Sequence, residues 1–232
     1  MTEIAKPPKQ RAFGRKYKTT DYATYYAQKH RSGVVRRVST LLEARMLRRA
    51  LIRLRRRHAF HTVLDCPSGA GRFLPTLAPF DVAVLALDTS ESMLREGQTH
   101  YALFRREPDA VVASAFALPL PDRAVDVVLC ARLLHHVSER DQRVSILREF
   151  ARVARVGVVI SFFDAASFRA WKRRRRNLRR DRSGGRSAIR RAQCEDEARS
   201  AGLNPIGMNA LLRYHTEITA AAFLVASPPD PQ

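Results

Sequence analysis

The chain of 232 residues has little cysteine, few acidic residues and no long apolar run. Its three cysteines, Cys66, Cys130 and Cys194, form no Cys-x-x-Cys pair, so the sequence indicates neither a zinc site nor a disulfide framework. No apolar run approaches the roughly 18 residues that span a bilayer, and the basic N-terminal segment lacks the apolar centre of a secretory signal. We therefore expect a protein without a bound metal or a transmembrane segment, located in the cytoplasm or at the periphery of a membrane.

Acidic residues are scarce mainly at the two ends of the chain. The sequence has 42 Lys and Arg against 22 Asp and Glu, a formal net charge of +20. Residues 1–57 carry a net charge of +14 and residues 167–232 carry +8, whereas residues 58–166 carry −2. The middle therefore has the charge balance of an ordinary globular core. The basic flanks predict an anionic partner, although a solvated arginine face is the simpler interpretation.

The pattern of the chain predicts three parts. Residues 1–20 are basic and proline-containing, and we expect them to form a disordered arm. Residues 21–58 have the apolar spacing of helices. Residues 59–232 are expected to form one α/β domain that carries a basic insertion at residues 167–186.

Apolar segments alternate with helical segments in the third part. Near-continuous apolar strands of this kind predict a Rossmann-like, doubly wound and mostly parallel seven-stranded sheet, covered by helices and preceded by an N-terminal helical extension. Ligands of such sheets bind at the carboxyl ends of the strands. The seven predicted strands lie near residues 61–66, 82–88, 111–115, 125–131, 157–163, 205–212 and 219–227.

The loop after the first strand, in TVLDCPSGAGRFLP, predicts a small-molecule site. Leu74 stands where a dinucleotide fingerprint has its third glycine, and no Gly-Lys-Ser/Thr of a Walker loop follows. Gly69 and Gly71 still let a ligand approach the backbone closely. Asp65 would suit a cationic amino acid end, and Asp88, which follows 17 residues after Gly71, would suit the two hydroxyls of a ribose.

Four motifs carry a resemblance to a known family: VLDCPSGAGR, LALDTSESML, ASAFALPLPDRAVDVVLCARLLHHV and ILREFARVARVGVVIS. In this order they resemble the class I S-adenosylmethionine-dependent methyltransferases, in particular the group of the ubiquinone and menaquinone C-methyltransferases. The similarity covers residues 63–163. This chain departs from the family by Pro67 in place of Gly, by Ser114 in place of Asp, and by Arg155-Val156-Gly157 in place of a Pro-Gly-Gly turn.

The resemblance implies S-adenosyl-L-methionine as the cofactor. It places the methionine end near the first loop, the ribose at Asp88, and the adenine between two short segments of the chain. It further implies that the leading helices and the segment after the fifth strand lie on the substrate side. The implied cofactor-binding residues are Asp65, Ser68, Gly69, Gly71, Asp88, Thr89, Met93, Ser114, Ala115, Phe116, Ala131 and Arg132.

The acceptor side of the site has candidate bases and candidate substrate-binding residues. His135 and His136 are candidate general bases, and the alternative is that one ring is packed and the other is silent. The expected function is methyl transfer to an anionic or membrane-associated acceptor, namely a lipid, a quinone-like molecule or RNA. The alternative is a nucleic-acid-binding protein on a degenerate methyltransferase fold. The predicted substrate-side residues are Tyr22, Tyr26, Trp171, Arg173, Arg174, Arg175 and Arg176.

Overall fold

The computed structural model describes residues 34–179, 187–210 and 217–226. The predicted disordered arm at residues 1–20, the segment with Tyr22 and Tyr26, and residues 180–186 of the basic insertion lie outside the described residues. Within the described part, none of the helices combines the length and apolar character needed to cross a bilayer.

The described elements follow the predicted alternation of strands and helices. The helices are α1 (Val34–Arg55), α2 (Leu74–Leu77), α3 (Glu91–Gly97), α4 (Arg140–Val153), α5 (Phe168–Arg179) and α6 (Arg191–Arg199). The strands are β1 (Thr62–Asp65), β2 (Ala83–Asp88), β3 (Asp109–Val112), β4 (Val125–Cys130), β5 (Ala154–Phe163), β6 (Leu203–Asn209) and β7 (Ile218–Val225).

The seven strands form one sheet in the order β3-β2-β1-β4-β5-β7-β6. Strands β1 to β5 run parallel to one another, and β7 pairs antiparallel with both β5 and β6. The mostly parallel, Rossmann-like sheet is therefore confirmed. The strand order reverses between β1 and β4, so their carboxyl ends border the crevice where this architecture binds ligands. We call the side of the sheet on which β1 to β5 end the carboxyl edge.

Helix α1 packs across β5, β6 and β7. Its residues Leu47, Leu51 and Leu54 are fully buried in the core on that face. Close packing explains Gly157, because a Cβ there would lie 2.3 Å from the Phe223 carbonyl oxygen and 2.9 Å from a Leu54 methyl carbon. The first turns of α1 differ from the rest, since the apolar Val38 is exposed there.

Several predicted boundaries were wrong. Strand β5 starts at Ala154 and not at residue 157, and β6 spans Leu203–Asn209 where residues 205–212 were predicted. Strand β3 ends at Val112 and not at residue 115, because a turn begins at Ser114, whose carbonyl accepts from Ala117 N. The predicted helical part extends to residue 58, whereas α1 ends at Arg55. The residue types from Ser138 onward favour a helix cap at that serine, but its hydroxyl donates to the Glu139 carboxylate and α4 starts only after Glu139.

Candidate active site

The loop after β1 turns sharply at its two glycines. Gly69 has a φ of 55° and Gly71 a φ of 69°, in the left-handed region that favours glycine. A Cβ at Gly71 would lie 3.0 Å from both the Cα and the carbonyl oxygen of Gly97, at the end of α3. Gly71 is therefore needed for its conformation and for the close approach of two backbones. Gly97 was missed by the sequence analysis.

Asp88 ties the first loop to the second. Its Oδ2 accepts from Gly69 N at 2.9 Å, and its Oδ1 accepts from Ser90 N at 2.9 Å. The Ser90 hydroxyl in turn caps α3 by accepting from Met93 N. Each carboxylate oxygen has a second lone pair, so Asp88 can still accept hydrogen bonds from two ligand hydroxyls.

Asp65, at the tip of β1, is a buried carboxyl close to a second one. Only 1% of its surface is exposed, and its Oδ2 has no hydrogen-bond partner among the described residues. Burial raises the pKa of Asp65 to about 7, the hydrogen bond with Ser68 opposes this, and the charge of Asp88 adds to it. Burial also raises the pKa of Asp88. A cationic group at Asp65 would satisfy the unpartnered oxygen and favour its ionised form.

The predicted adenine contacts come from two segments. Met93 is buried, and its Cε lies 3.5 Å from the position of a Cβ on Gly69, whereas Thr89 is exposed. Ser114 belongs to the turn after β3, where its Oγ accepts from Phe116 N at 3.3 Å. The family's Asp could only accept a hydrogen bond, but a serine hydroxyl that already accepts one keeps a proton to donate. Ala115 is buried beside it.

The loop after β4 is fixed by a carboxylate on α1. Arg132 has a φ of 62°, and its backbone N donates to the Ser161 hydroxyl at 2.9 Å, next to buried Ala131. Its guanidinium pairs with Glu43, at 2.7 Å from both Nε and Nη2. Arg72, in the loop after β1, approaches the same carboxylate at 3.9 Å.

Glu43 and Arg72 were missed by the sequence analysis. Glu43 is 1% exposed, although it lies on a helix whose other charged residues are all arginines. It is the only acidic residue of α1, and Leu42 and Ala44 flank it. A single acid among many arginines was the signal that could have indicated an internal ion pair.

The two candidate bases differ in their surroundings. His135 is 3% exposed and stacks on Phe163, with ring centroids 4.0 Å apart and planes 4° apart. His136 is half-buried and lies 4.1 Å from the His135 ring. The geometry therefore assigns the packed position to His135 and leaves His136 as the more accessible of the two. Their role in catalysis stays a prediction.

Of the predicted substrate-side residues, Tyr22 and Tyr26 lie outside the described residues, and the other five lie on α5, within the predicted basic insertion. Trp171 is exposed, and Arg174, Arg175 and Arg176 are exposed beside it. Arg173 is different, because its guanidinium pairs with Glu217 and lies over the Phe163 ring. Arg173 thus attaches α5 to the sheet and is not free for an acceptor. Within the described ranges, no group of three or more His, Cys, Asp or Glu side chains could hold a metal ion.

Comparison with known proteins agrees with this geometry. Residues 64–162 match the family model described as a methyltransferase domain. An uncharacterized methyltransferase-like protein of Schizosaccharomyces pombe is 30% identical over 100 residues, which make up 42% of this chain and 37% of the yeast protein. The match thus spans little more than a third of that relative's length.

Solved structures share the fold at low identity. Magnesium protoporphyrin IX methyltransferase from Synechocystis PCC 6803, solved with bound SAH, superposes with a TM-score of 0.73 at 14% identity, over 94% of this chain and all of that one. A SAM-dependent methyltransferase from Thermotoga maritima, a possible histamine N-methyltransferase, gives a TM-score of 0.60 at 17% identity, over 88% of this chain and 97% of that one. The predicted class I methyltransferase fold is confirmed, and the match to the methyltransferase family model lies within residues 64–162.

The buried Asp65 predicts a pH dependence of stability. Its folded-state pKa of about 7 lies above the ordinary value of 3.8. The folded state therefore binds the Asp65 proton more tightly than the unfolded state does. The stability that this proton contributes is lost as the pH rises towards 7. Asp65→Asn removes the titration. Without cofactor, the free energy of unfolding of the wild type, relative to Asp65→Asn, should fall by roughly 2–3 kcal/mol between about pH 5 and pH 8.

Denaturant unfolding of both proteins at each pH measures this difference. Asp109→Asn is the matched control, because Asp109 is an exposed carboxylate at the start of β3. Its unfolding free energy should follow the wild type at every pH. Parallel pH profiles for the wild type and Asp65→Asn would contradict the raised pKa.

Proposed function

We propose that this class I methyltransferase domain binds S-adenosylmethionine across the carboxyl ends of β1, β2 and β4 and transfers its methyl group to an acceptor. The observation that carries the proposal is the buried Asp65, whose Oδ2 lacks a partner among the described residues and lies near the Asp88 carboxylate. A buried carboxyl and a neighbouring carboxylate destabilise each other unless a cation or hydrogen-bond donors join them. An amino acid end and a ribose provide both.

The residues at the carboxyl ends of these strands fit S-adenosylmethionine in an extended arrangement. Asp65 and the backbone at Gly69 would hold the methionine end, and Asp88 the ribose hydroxyls. Met93 would cover one side of the adenine, and Ser114 would face its edge. Gly71, in its left-handed conformation, and Gly97 have no side chains, so the loop after β1 can pack closely against the end of α3.

When bound, the cofactor supplies a sulfonium methyl that is already activated for transfer. The chain has to orient the acceptor in line with that methyl and to exclude water. Arg132, fixed by Glu43, and the buried Ala131 would form the wall of the site after β4. His136 would take a proton from the acceptor where its nucleophile carries one.

The acceptor that the charge distribution favours is anionic or associated with a membrane, such as a lipid, a quinone-like molecule or RNA. The exposed arginines of α5 follow directly after β5, whose end lies at the carboxyl edge. A small neutral acceptor would leave this positive surface without a role. Transfer of a labelled methyl group to fractionated lipid, quinone and RNA pools tests the acceptor class. Labelling that stays confined to small soluble molecules would contradict the proposed class.

Asp88 provides the test of the cofactor site. Asp88→Ala removes a charged acceptor and should weaken S-adenosylmethionine binding by roughly 1.5–3 kcal/mol, about 10- to 150-fold. Asp88→Asn keeps one acceptor oxygen for the loop amides and should also bind more weakly. Asp109→Ala removes an exposed carboxylate from the opposite edge of the sheet and serves as the control. Calorimetry that gives wild-type affinity for both Asp88 variants would exclude Asp88 from the site.

The histidines provide a test of the chemical step. If His136 is a general base, His136→Ala should lower the turnover by roughly 10²–10⁴-fold without changing cofactor affinity. His135→Phe keeps an aromatic ring against Phe163 and should retain most of the activity. Full turnover in His136→Ala would mean that positioning alone accounts for the reaction.

A further inference from the structure

We propose that α5 is an interfacial membrane-binding helix that docks the carboxyl edge of the sheet on an anionic lipid bilayer. The inference rests on the proposed function in that it names the surface on which the acceptor would be met. Three features of α5 support it: the helix is attached to the sheet, it exposes an aromatic pair, and it carries many arginines.

One side of α5 is attached firmly at the carboxyl edge. Strand β5 ends at Phe163, and α5 begins five residues later at Phe168. The buried Ser167 starts the helix, since its hydroxyl accepts from Ala170 N at 3.2 Å. Arg173 pairs with Glu217 just before β7 and lies over the Phe163 ring. Because β7 runs antiparallel to β5, both anchors lie at the edge where the cofactor site opens.

The outer side of α5 carries two large exposed aromatic rings. Phe168 is 57% exposed and Trp171 is 49% exposed, and their rings stack with centroids 5.4 Å apart. Exposing a stacked aromatic pair to water is unfavourable, and such a patch marks a surface that another apolar phase covers. Trp in particular prefers the boundary between lipid and water, because its ring is apolar and its N–H is polar.

Cationic side chains surround the aromatic pair. Arg169, Lys172, Arg174 and Arg176 are exposed, and α5 contains no acidic residue. The guanidinium of Arg175 lies 4.9 Å from the centre of the Trp171 ring. A short helix with aromatics among arginines has the composition of an element that lies in the plane of an anionic membrane surface.

The position of Trp171 favours a bilayer over RNA. A nucleic acid base binds an aromatic side chain by stacking on a free ring face. Phe168 stacks on the indole, and the guanidinium of Arg175 lies over the same ring at 4.9 Å from its centre. Contacts within α5 therefore already use ring-face area on which a base would stack, whereas insertion between lipid headgroups needs no free face.

The first turns of α1 extend the same surface. Val38 is 46% exposed and Leu41 is 67% exposed. Their place at the carboxyl edge follows from Thr40, which accepts from Arg72 at 2.6 Å, and from Glu43, which pairs with Arg132. Both arginines belong to loops at that edge. Apolar side chains of α1 and α5 thus lie on the edge of the sheet that holds the candidate site.

Trp171 is the only tryptophan of the chain, so its fluorescence reports directly on α5. The full chain is titrated with vesicles of equal parts phosphatidylglycerol and phosphatidylcholine, and separately with pure phosphatidylcholine. We expect a blue shift of the emission with the anionic vesicles, quenching by lipids brominated in their acyl chains, and weaker binding as salt rises above about 0.1 M. Unchanged emission with anionic vesicles would overturn the proposal.

Variants separate the apolar and charged contributions in a co-sedimentation assay. Phe168→Ala combined with Trp171→Ala should lower vesicle partitioning about tenfold or more, whereas Leu103→Ala, a similarly exposed apolar residue, should not. Arg174→Gln with Arg176→Gln should lower it by a similar factor. Arg56→Gln with Arg57→Gln is the charge-matched control, because these exposed arginines follow α1 at the opposite edge. Equal losses in both double arginine variants would reduce the effect to net charge and overturn the assignment to α5.

Two parallel titrations complete the test. Binding of a single-stranded RNA that quenches Trp171, together with no response to vesicles, would replace the bilayer by RNA. Calorimetry with S-adenosylmethionine on the same preparation tests the proposed function separately. Cofactor binding without vesicle binding would overturn only the membrane inference, and vesicle binding without cofactor binding would overturn only the proposed function.

Discussion

The ion pair between Glu43 and Arg132 is the contact on which the candidate site depends most. It joins three parts of the chain that are distant in sequence: α1, the loop after β4 and, through Arg72, the loop after β1. Glu43 is almost fully buried, so removing Arg132 would leave a buried carboxylate whose remaining cationic partner, Arg72, lies at 3.9 Å. The pair also holds Arg132 in a left-handed conformation that an arginine rarely adopts without support. The helix that covers the sheet thus fixes the wall of the site.

The second constraint is the pair of carboxyls at the ends of β1 and β2. Asp88 is stabilised by two backbone amides, whereas Asp65 has a buried oxygen without a partner in the described part of the chain. Burial, together with the neighbouring charge, raises the pKa of Asp65 to about 7, so ionising Asp65 near neutral pH is costly. A ligand with a cationic end relieves this cost. The site is therefore stabilised by the molecule that it is proposed to bind, and part of the fold's stability is linked to cofactor concentration.

The sheet and the cofactor loops could be predicted from the sequence because they depend on local patterns. Apolar runs identify parallel strands, and Gly69, Gly71 and Asp88 follow at fixed distances along the chain. The Glu43–Arg132 pair joins residues 89 positions apart, and no local pattern encodes such a contact. The ends of β3 and α4 were set by hydrogen bonds of Ser114 and Ser138, which compete with regular structure in ways that residue type alone does not decide. Arg173 was grouped with its neighbours by composition, although its pairing with Glu217 depends on tertiary structure.

Hydrogen–deuterium exchange with and without S-adenosylmethionine measures whether the cofactor binds at these loops and whether the Glu43–Arg132 pair couples α1 to them. We expect slower exchange on binding at the amides of Gly69, Ser90 and Phe116, and in α1 around Glu43, because the ion pair couples that helix to the site. The amides of β6 and α6, which lie far from the crevice, should not change. Protection that spares the loops after β1 and β2, or no protection at saturating cofactor, would contradict binding of the cofactor at these loops.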